Sequence, residues 1–143
     1  MLNDKLSLTG ALTVSVNGEV VRDIRNLVVT SGKELVAANL QGGTVTPITH
    51  MGVGSGSVAA GAADVALGAQ LDRNALSTSG GSVADAVVTY ECTWLPGDGT
   101  DALTEAGLFS AVTGGTMLAR TVFPVVNKGV DDNVTIVWDV TIS

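Results

Sequence analysis

The chain has 143 residues, a net charge of -7, and charged side chains at only 15% of its positions. This length fits one compact domain, and the acidic balance disfavours nucleic acids and anionic lipid surfaces, which bind basic residues. Soluble domains usually carry charge at about a quarter of their positions. The low charge density therefore predicts that much of the surface is covered in the working state, by copies of the chain or by a larger partner.

No feature of the sequence indicates export or membrane insertion. The opening segment MLNDKLSLTG lacks the basic and apolar regions of a signal peptide, and no apolar run is long enough to span a bilayer. We therefore expect a soluble protein that is made in a cytosol. The single cysteine, Cys92, excludes an intramolecular disulfide.

The amino-terminal part, about 10–41, predicts a hairpin and a helix. Apolar and polar residues alternate from Leu12 to Val16, and Asn17-Gly18 fits a type I′ turn, in which both central residues need positive φ. Ser31 and Glu34 then have the spacing of a capping box, and Gly42-Gly43 supplies a helix end. The pattern predicts one short helix over residues 32–41.

The middle of the chain predicts a strand, ITHMGVG, and then a loop rich in Gly, Ala and Ser at about 52–66, with one helical turn after Asp64. Gly52, Gly54 and Gly56 resemble a phosphate-binding loop, but neither a helix nor a lysine follows, so a flexible glycine loop is the preferred interpretation. Long loops are uncommon and often functional. This loop and the amino-terminal segment are our predicted contact regions.

The remaining sequence predicts strands separated by glycine turns. Alternation between apolar and polar residues is cleanest in the last of them. The predicted strands cover residues 72–78, 87–94, 103–109, 116–123 and 134–142. Short antiparallel strands with one small helix near the amino terminus predict a mainly β, single-domain chain, an antiparallel β-sandwich or a jelly-roll-like barrel.

The polar residues do not form a recognisable catalytic or metal site. His50 and Cys92 lack a third orienting group, and Cys92 lies on the apolar face of its strand. Two pairs of turn aspartates offer oxygen atoms for Ca²⁺, namely Asp98/Asp101 and Asp131/Asp132. Their spacing matches no EF-hand, which favours solvated turn residues while leaving calcium binding open. We expect no enzymatic activity, no cofactor and no metal.

The stretch LTEAGLFSAVTGGTMLARTVFP, residues 103–124, sets one acid, Glu105, before a glycine turn and one arginine, Arg120. A catalytic pair of Glu105 with Glu91 would suit a glycosidase, but no pattern places the two together. We expect Glu105 to bind backbone amides or Arg120 in a hairpin that turns at Gly114-Gly115. The order Gly-Leu-Phe at 107–109 predicts a strand covered on both faces, as in a sheet within an assembly.

Several segments together resemble small virion proteins of tailed bacteriophages, among them tail-collar and tail-fibre modules and free-standing head or tail proteins. They are MGVGSG, DVALGAQLDR, VTYECTW, LTEAGLFSAVTGGTMLARTVFPVVNKG and VTIVWDVTI, and the first 45 residues are also similar to the opening of such proteins. The most specific part runs from Glu105 to Phe109 and continues through the Gly-Gly turn and LART to Lys128. Structural or interaction candidates are Gly52, Gly54, Gly56, Glu105, Gly107, Phe109, Gly114, Gly115, Arg120 and Lys128.

The resemblance implies a non-enzymatic structural role in a virion that is assembled in a bacterial host cytoplasm. A capsid decoration (cement) protein is the preferred expectation, because the chain ends on its best strand without a fibre shaft. The alternative is a small tail, collar, baseplate or tail-fibre attachment protein, and a carbohydrate-binding or carbohydrate-active virion domain is a remote one. Expected partners are the major capsid protein or tail and baseplate proteins, and further copies of the chain as a dimer or trimer.

Overall fold

The structure, a computed structural model, describes residues 6–143, which form nine β-strands and one α-helix. In chain order these are β1 (Leu8–Val16), β2 (Glu19–Val28), α1 (Thr30–Gln41), β3 (His50–Gly54), β4 (Gln70–Ala75), β5 (Ser82–Ala84), β6 (Val87–Trp94), β7 (Asp101–Phe109), β8 (Met117–Lys128) and β9 (Val134–Ile142). The predicted mainly β architecture with one short helix is confirmed.

Two antiparallel sheets pack against each other, as expected for a β-sandwich. The first sheet has the order β2-β1-β9-β6-β5 and the second has the order β4-β3-β7-β8. Strand β2 joins them, because its last two residues, Leu27 and Val28, pair with Arg120 and Ala119 of β8. The core between the sheets buries large apolar side chains, including Trp94 and Trp138.

The predicted amino-terminal hairpin is confirmed. Asn17 and Gly18 have φ values of 51° and 84°, and Val16 pairs with Glu19 across this two-residue turn. Alternation in β9 is also as predicted, since Val134, Ile136, Trp138 and Val140 are buried between partly exposed neighbours. Period-two patterning therefore identified the core face of this strand.

The predicted start of the helix is wrong. Helix α1 begins at Thr30, Val29 is its N-cap, and no side chain caps it. The Ser31 hydroxyl instead donates to the Met117 carbonyl oxygen at 2.9 Å, so the expected capping box with Glu34 does not form. Tertiary docking of α1 onto β8 uses this hydroxyl. The predicted end is confirmed, because Gly42 adopts a left-handed conformation with φ 79°.

The loop boundaries also differ from the prediction. Gly52 and Gly54 belong to β3, so the loop runs over residues 55–69, and no helical turn follows Asp64. Strand β4 ends earlier than predicted, at Ala75, and β5 was not predicted. The first five residues, part of the predicted amino-terminal contact region, lie outside the described residues.

On one side of the sandwich, most of β2 and β8 are not paired with each other, which leaves an open strand edge there. Beyond the short pairing at Leu27 and Val28, β2 and β8 form no further ladder pairs. Across this gap the Arg22 side chain donates from Nε to the Pro124 carbonyl oxygen at 3.0 Å and from Nη2 to the Val125 carbonyl oxygen at 2.7 Å. The guanidinium thus takes the place of main-chain donors along the edge.

Candidate functional site: a loop latched over one sheet

Residues 55–69, here called the latched loop, cover the outer face of the second sheet. Glycines make room for this cover, since Gly52 of β3 pairs directly with Gly107 of β7. A Cβ atom at Gly107 would lie 3.0 Å from both Leu67 Cδ2 and Phe109 Cε2. Because Gly52 and Gly107 have no side chains, the Leu67 side chain and the Phe109 ring pack directly against the backbone at this pair of residues, here called the glycine floor.

The carboxylate of Glu105 fastens the loop from below. It is completely buried, with 0% of its surface exposed. Its Oε2 accepts from the backbone N–H groups of Gly56 at 2.6 Å and Ala69 at 2.7 Å. Its Oε1 accepts from Gly68 N–H at 2.7 Å and from Arg120 Nε at 3.1 Å. The predicted pairing of Glu105 with backbone amides and Arg120 is confirmed, and both ends of the loop converge on one side chain.

The guanidinium of Arg120 fastens the middle of the loop and is only 3% exposed. Its Nη1 donates to Asp64 Oδ2 at 2.9 Å, and its Nη2 donates to the Val58 carbonyl oxygen at 3.0 Å. The same Asp64 oxygen accepts from Gly61 N–H at 2.8 Å. Arg120 therefore lies between two carboxylates and has acceptors for each of its nitrogen atoms, the bonding that a buried arginine needs.

Both carboxyl groups have lowered pKa values. Burial raises the pKa of Glu105, but the N–H groups of Ala69, Gly68 and Gly56, together with Arg120, outweigh that effect and hold it below its ordinary range. The Gly61 N–H lowers the pKa of Asp64; burial opposes this, and the hydrogen bond and positive charge of Arg120 lower the pKa further. Both groups are therefore ionised at neutral pH, the state that supports a structural carboxylate rather than a general acid.

The apolar part of the loop covers the end of β7. Leu67 packs against a buried cluster of Val29, Phe109 and Met117. The Arg73 guanidinium lies 3.5 Å from the centroid of the Phe109 ring, within the range of a cation–π contact. Residues 107–109 are thus buried on both faces, as their order predicted, and the second cover is the chain's own loop.

The outer surface of the latched loop is apolar and nearly uncharged. Val58 and Val65 are 77% and 67% exposed. Asp64 is the only charged residue between 55 and 69, and its carboxylate is paired with Arg120. The loop therefore presents exposed valines on a backbone that buried polar contacts hold in place.

Most of the sequence-predicted candidates meet in this loop or beneath it, namely Gly52, Gly54, Gly56, Glu105, Gly107, Phe109 and Arg120. The other three do not take part. Gly114 and Gly115 form the turn between β7 and β8, with φ values of 60° and 71°, and Lys128 is buried at the far end of β8, where its Nζ donates to the Leu95 carbonyl oxygen at 3.0 Å.

Sequence reasoning missed three participants in the site, Asp64, Leu67 and Arg73. Asp64 carried a usable signal, because a lone charge in a long stretch of small apolar residues needs a partner. Leu67 and Arg73 carried no comparable signal. Their role depends on the glycine floor and on the outer face of the Phe109 ring, which only the folded sheet brings together.

The other chemical candidates stay apart. His50 Nδ1 lies 2.7 Å from Thr49 Oγ1, while the buried Cys92 thiol contacts the Ala75 carbonyl oxygen, and burial raises the pKa of this thiol to about 12. Glu91 is exposed on the first sheet, whereas Glu105 is buried in the second.

Within residues 6–143, no three His, Cys, Asp or Glu side chains are grouped to hold a metal ion. Of the proposed calcium-binding aspartates, Asp132 accepts from Asn17 Nδ2 at 2.9 Å and from Gly129 N–H at 2.8 Å, as a turn residue does. In the same part of the chain, the single helix is neither long nor apolar enough to cross a bilayer.

In comparisons with known proteins, the chain matches no family model, no curated protein and no solved structure.

Proposed function

We propose that the protein is a structural component of a tailed-bacteriophage virion, a capsid decoration protein that contacts the major capsid protein through its latched loop. The observation that carries this proposal is the combination of exposed valines, Val58 and Val65, with the buried Glu105–Arg120 pair that fixes the backbone beneath them. The sequence resemblance to small phage virion proteins supplies the class, and its most specific stretch contains this same buried pair.

A fixed loop is suited to binding because its order is established before the partner arrives. Immobilising a flexible residue costs roughly 1–2 kcal/mol in conformational entropy, so a loop of this length would otherwise oppose binding strongly. Charge acts in the same direction. The chain carries a net charge of -7, but the single carboxylate of the loop is already paired, so the loop approaches an acidic partner with little repulsion.

Decoration uses many equivalent contacts at once. A capsid offers repeated copies of one surface, and a modest apolar contact at each copy adds to the stability of the whole particle. A tail, collar or baseplate protein would use the same loop against a different partner and is the alternative class. A carbohydrate-binding role is less favoured, because the two Trp, one Tyr and two Phe side chains are all buried and none offers a ring to a sugar.

Co-sedimentation tests this proposal directly. Purified protein is mixed with capsids, and separately with tails, from a phage strain that lacks this gene. We expect the wild-type protein to sediment with capsids and Val58→Asp or Val65→Asp to bind at least about tenfold more weakly, because each places a charge in an apolar contact. Val130→Asp, in a turn outside the loop and 62% exposed, is the matched control.

Each outcome separates the classes of function. Binding to capsids that the loop variants lose, and that Val130→Asp keeps, supports decoration. Binding to tails alone supports the tail or baseplate alternative instead. A wild-type protein that sediments with neither particle, while its melting curve shows a folded domain, overturns the virion proposal.

A further inference from the structure

A second apolar surface contains none of the residues of the latched loop. A groove of about 580 Å³ runs between α1 and the adjoining ends of β1 and β9, where Leu8 pairs with Ile142. This α1 groove is lined chiefly by Leu6, Leu8, Lys33, Val36, Leu40 and Ile142. Leu6 and Leu40 are 80% and 81% exposed, so two large apolar side chains stand in water at the rim of an apolar depression.

Helix α1 faces the groove with a regular stripe. Val36 and Leu40 follow Lys33 by three and seven residues, a spacing that places all three on one side of a helix. Ala37 lies beside them and is exposed. A small residue at the centre of an exposed helix face allows a second helix to approach closely, at an interaxial distance of about 8–10 Å.

The charges of α1 favour another copy of α1 as the occupant. Two copies of a chain with net charge -7 repel each other over most of their surfaces. The helix is an exception, because its only charged residues are Lys33 and Glu34, which cancel. Its last turn has no basic side chain, so the partial negative charge at the helix end is not balanced within the helix.

An antiparallel pair of helices brings these features together. If two copies of α1 cross near Ala37, Lys33 of each copy lies beside the last turn of the other helix. A lysine near the beginning of its own helix is disfavoured by the helix dipole, and this arrangement gives it a favourable site in the other copy. Leu40 of each copy then reaches the groove of the other.

We propose that two copies of the chain form a dimer with two-fold symmetry through the α1 groove, with Leu40 of each copy buried in the groove of the other. This dimer deepens the self-association that belongs to the proposed function and rests on it only in that respect. Because the interface uses none of residues 55–69, the latched loop of each copy remains available for a virion partner.

Sedimentation velocity over a concentration series tests the dimer. We expect a monomer–dimer equilibrium for the wild-type chain and a dissociation constant at least about a hundredfold higher for Leu40→Glu, because a symmetric interface loses the same buried leucine twice. Lys33→Glu also weakens the dimer, and added salt reduces its effect. Val112→Glu, 60% exposed in the turn between β7 and β8, is the matched control and dimerises like wild type.

Other results contradict the inference. A wild-type chain that stays monomeric at every concentration, a trimer, or a Leu40→Glu dimer as tight as wild type each overturns it. Leu6→Glu repeats the test from the other wall of the groove, so a folding defect in one variant does not decide the outcome. Capsid and tail co-sedimentation is measured on the same samples, and a dimer that binds neither particle refutes the virion function while it supports the interface.

Discussion

Replacing Glu105 with glutamine tests most directly whether this carboxylate holds the latched loop in place. The side chain keeps its shape and loses only its charge and one acceptor atom. One oxygen accepts from Gly56 and Ala69, and the other accepts from Gly68 and Arg120. Whichever position the new NH₂ group takes, it faces two N–H donors instead of receiving them. The variant therefore leaves at least two donors at a partly buried site without an acceptor.

The expected loss of stability is large for a substitution that replaces one oxygen atom with an NH₂ group. An orphaned buried donor costs about 1–3 kcal/mol, so two of them cost about 2–6 kcal/mol. Removing one partner of a buried ion pair costs about 3–5 kcal/mol, which counts partly the same contacts. We therefore expect Glu105→Gln to lower the free energy of unfolding by about 3–5 kcal/mol, a substantial part of the roughly 5–15 kcal/mol typical of folded domains.

Urea denaturation and amide hydrogen exchange together measure this effect. The urea midpoint falls in Glu105→Gln, and the amides of Gly56, Gly68 and Ala69 lose protection, because the carboxylate is their acceptor. Glu91→Gln, an exposed change of the same type, stays within about 0.5 kcal/mol of wild type. A loss below about 1 kcal/mol with unchanged protection of the three amides would refute the latch.

Three further predictions concern acid, packing and thiol reactivity. Folding lowers the pKa values of Glu105 and Asp64, so the ionised carboxylates stabilise the fold fully at any pH above the ordinary carboxyl range. This stabilisation is lost as the pH falls through the pKa values of the folded state. We therefore expect the urea midpoint to fall in acid, and to fall less in Glu105→Gln than in wild type. Gly107→Ala destabilises by about 1–3 kcal/mol in the same assay because its Cβ crowds the side chains beneath the loop, whereas Gly61→Ala, with its nearest contact at 3.7 Å, changes little. The buried Cys92 thiol has a pKa of about 12, so we expect thiol reagents to label it only in the unfolded chain, at a rate set by unfolding in urea. Rapid labelling of the native protein would contradict its burial.

The local features of the fold were predictable from the sequence. Two residues that tolerate positive φ, Asn17 and Gly18, identified the hairpin, and period-two alternation identified the buried faces of β6 and β9. These signals are local because a turn and a pleated strand depend on adjacent residues. The mainly β class follows from them once several such strands occur in one chain of this length.

Features that depend on distant contacts were not predictable. The start of α1 is set by β8, where the Met117 carbonyl oxygen takes the Ser31 hydroxyl that the local pattern assigned to a capping box. Strand β5 has three exposed residues and no alternation between buried and exposed positions. The membership of β2 in both sheets depends on the pairing of Leu27 and Val28 with β8, for which the sequence of β2 carries no signal.

The Glu105–Arg120 pair at the centre of the candidate site was predictable from the sequence, and the other contacts of Glu105 were not. Glu105 and Arg120 lie on strands joined by a short turn, and they are diagonal neighbours because Arg120 pairs with Gly107. Glu105 and Arg120 are the only charged residues between 103 and 124 and are therefore natural partners. The other donors to Glu105 lie 36 to 49 residues away along the chain and are backbone N–H groups, which every residue except proline provides. No side-chain pattern distinguishes the amides that a carboxylate will bind.

The Arg22 bridge at the open edge limits how this protein can associate. An unprotected strand edge recruits any extended chain, and proteins displayed at high local density are especially exposed to such polymerisation. Here Arg22 already occupies two edge carbonyls, and Pro124 has no N–H group to offer. Growth by adding strands is thereby blocked at this edge.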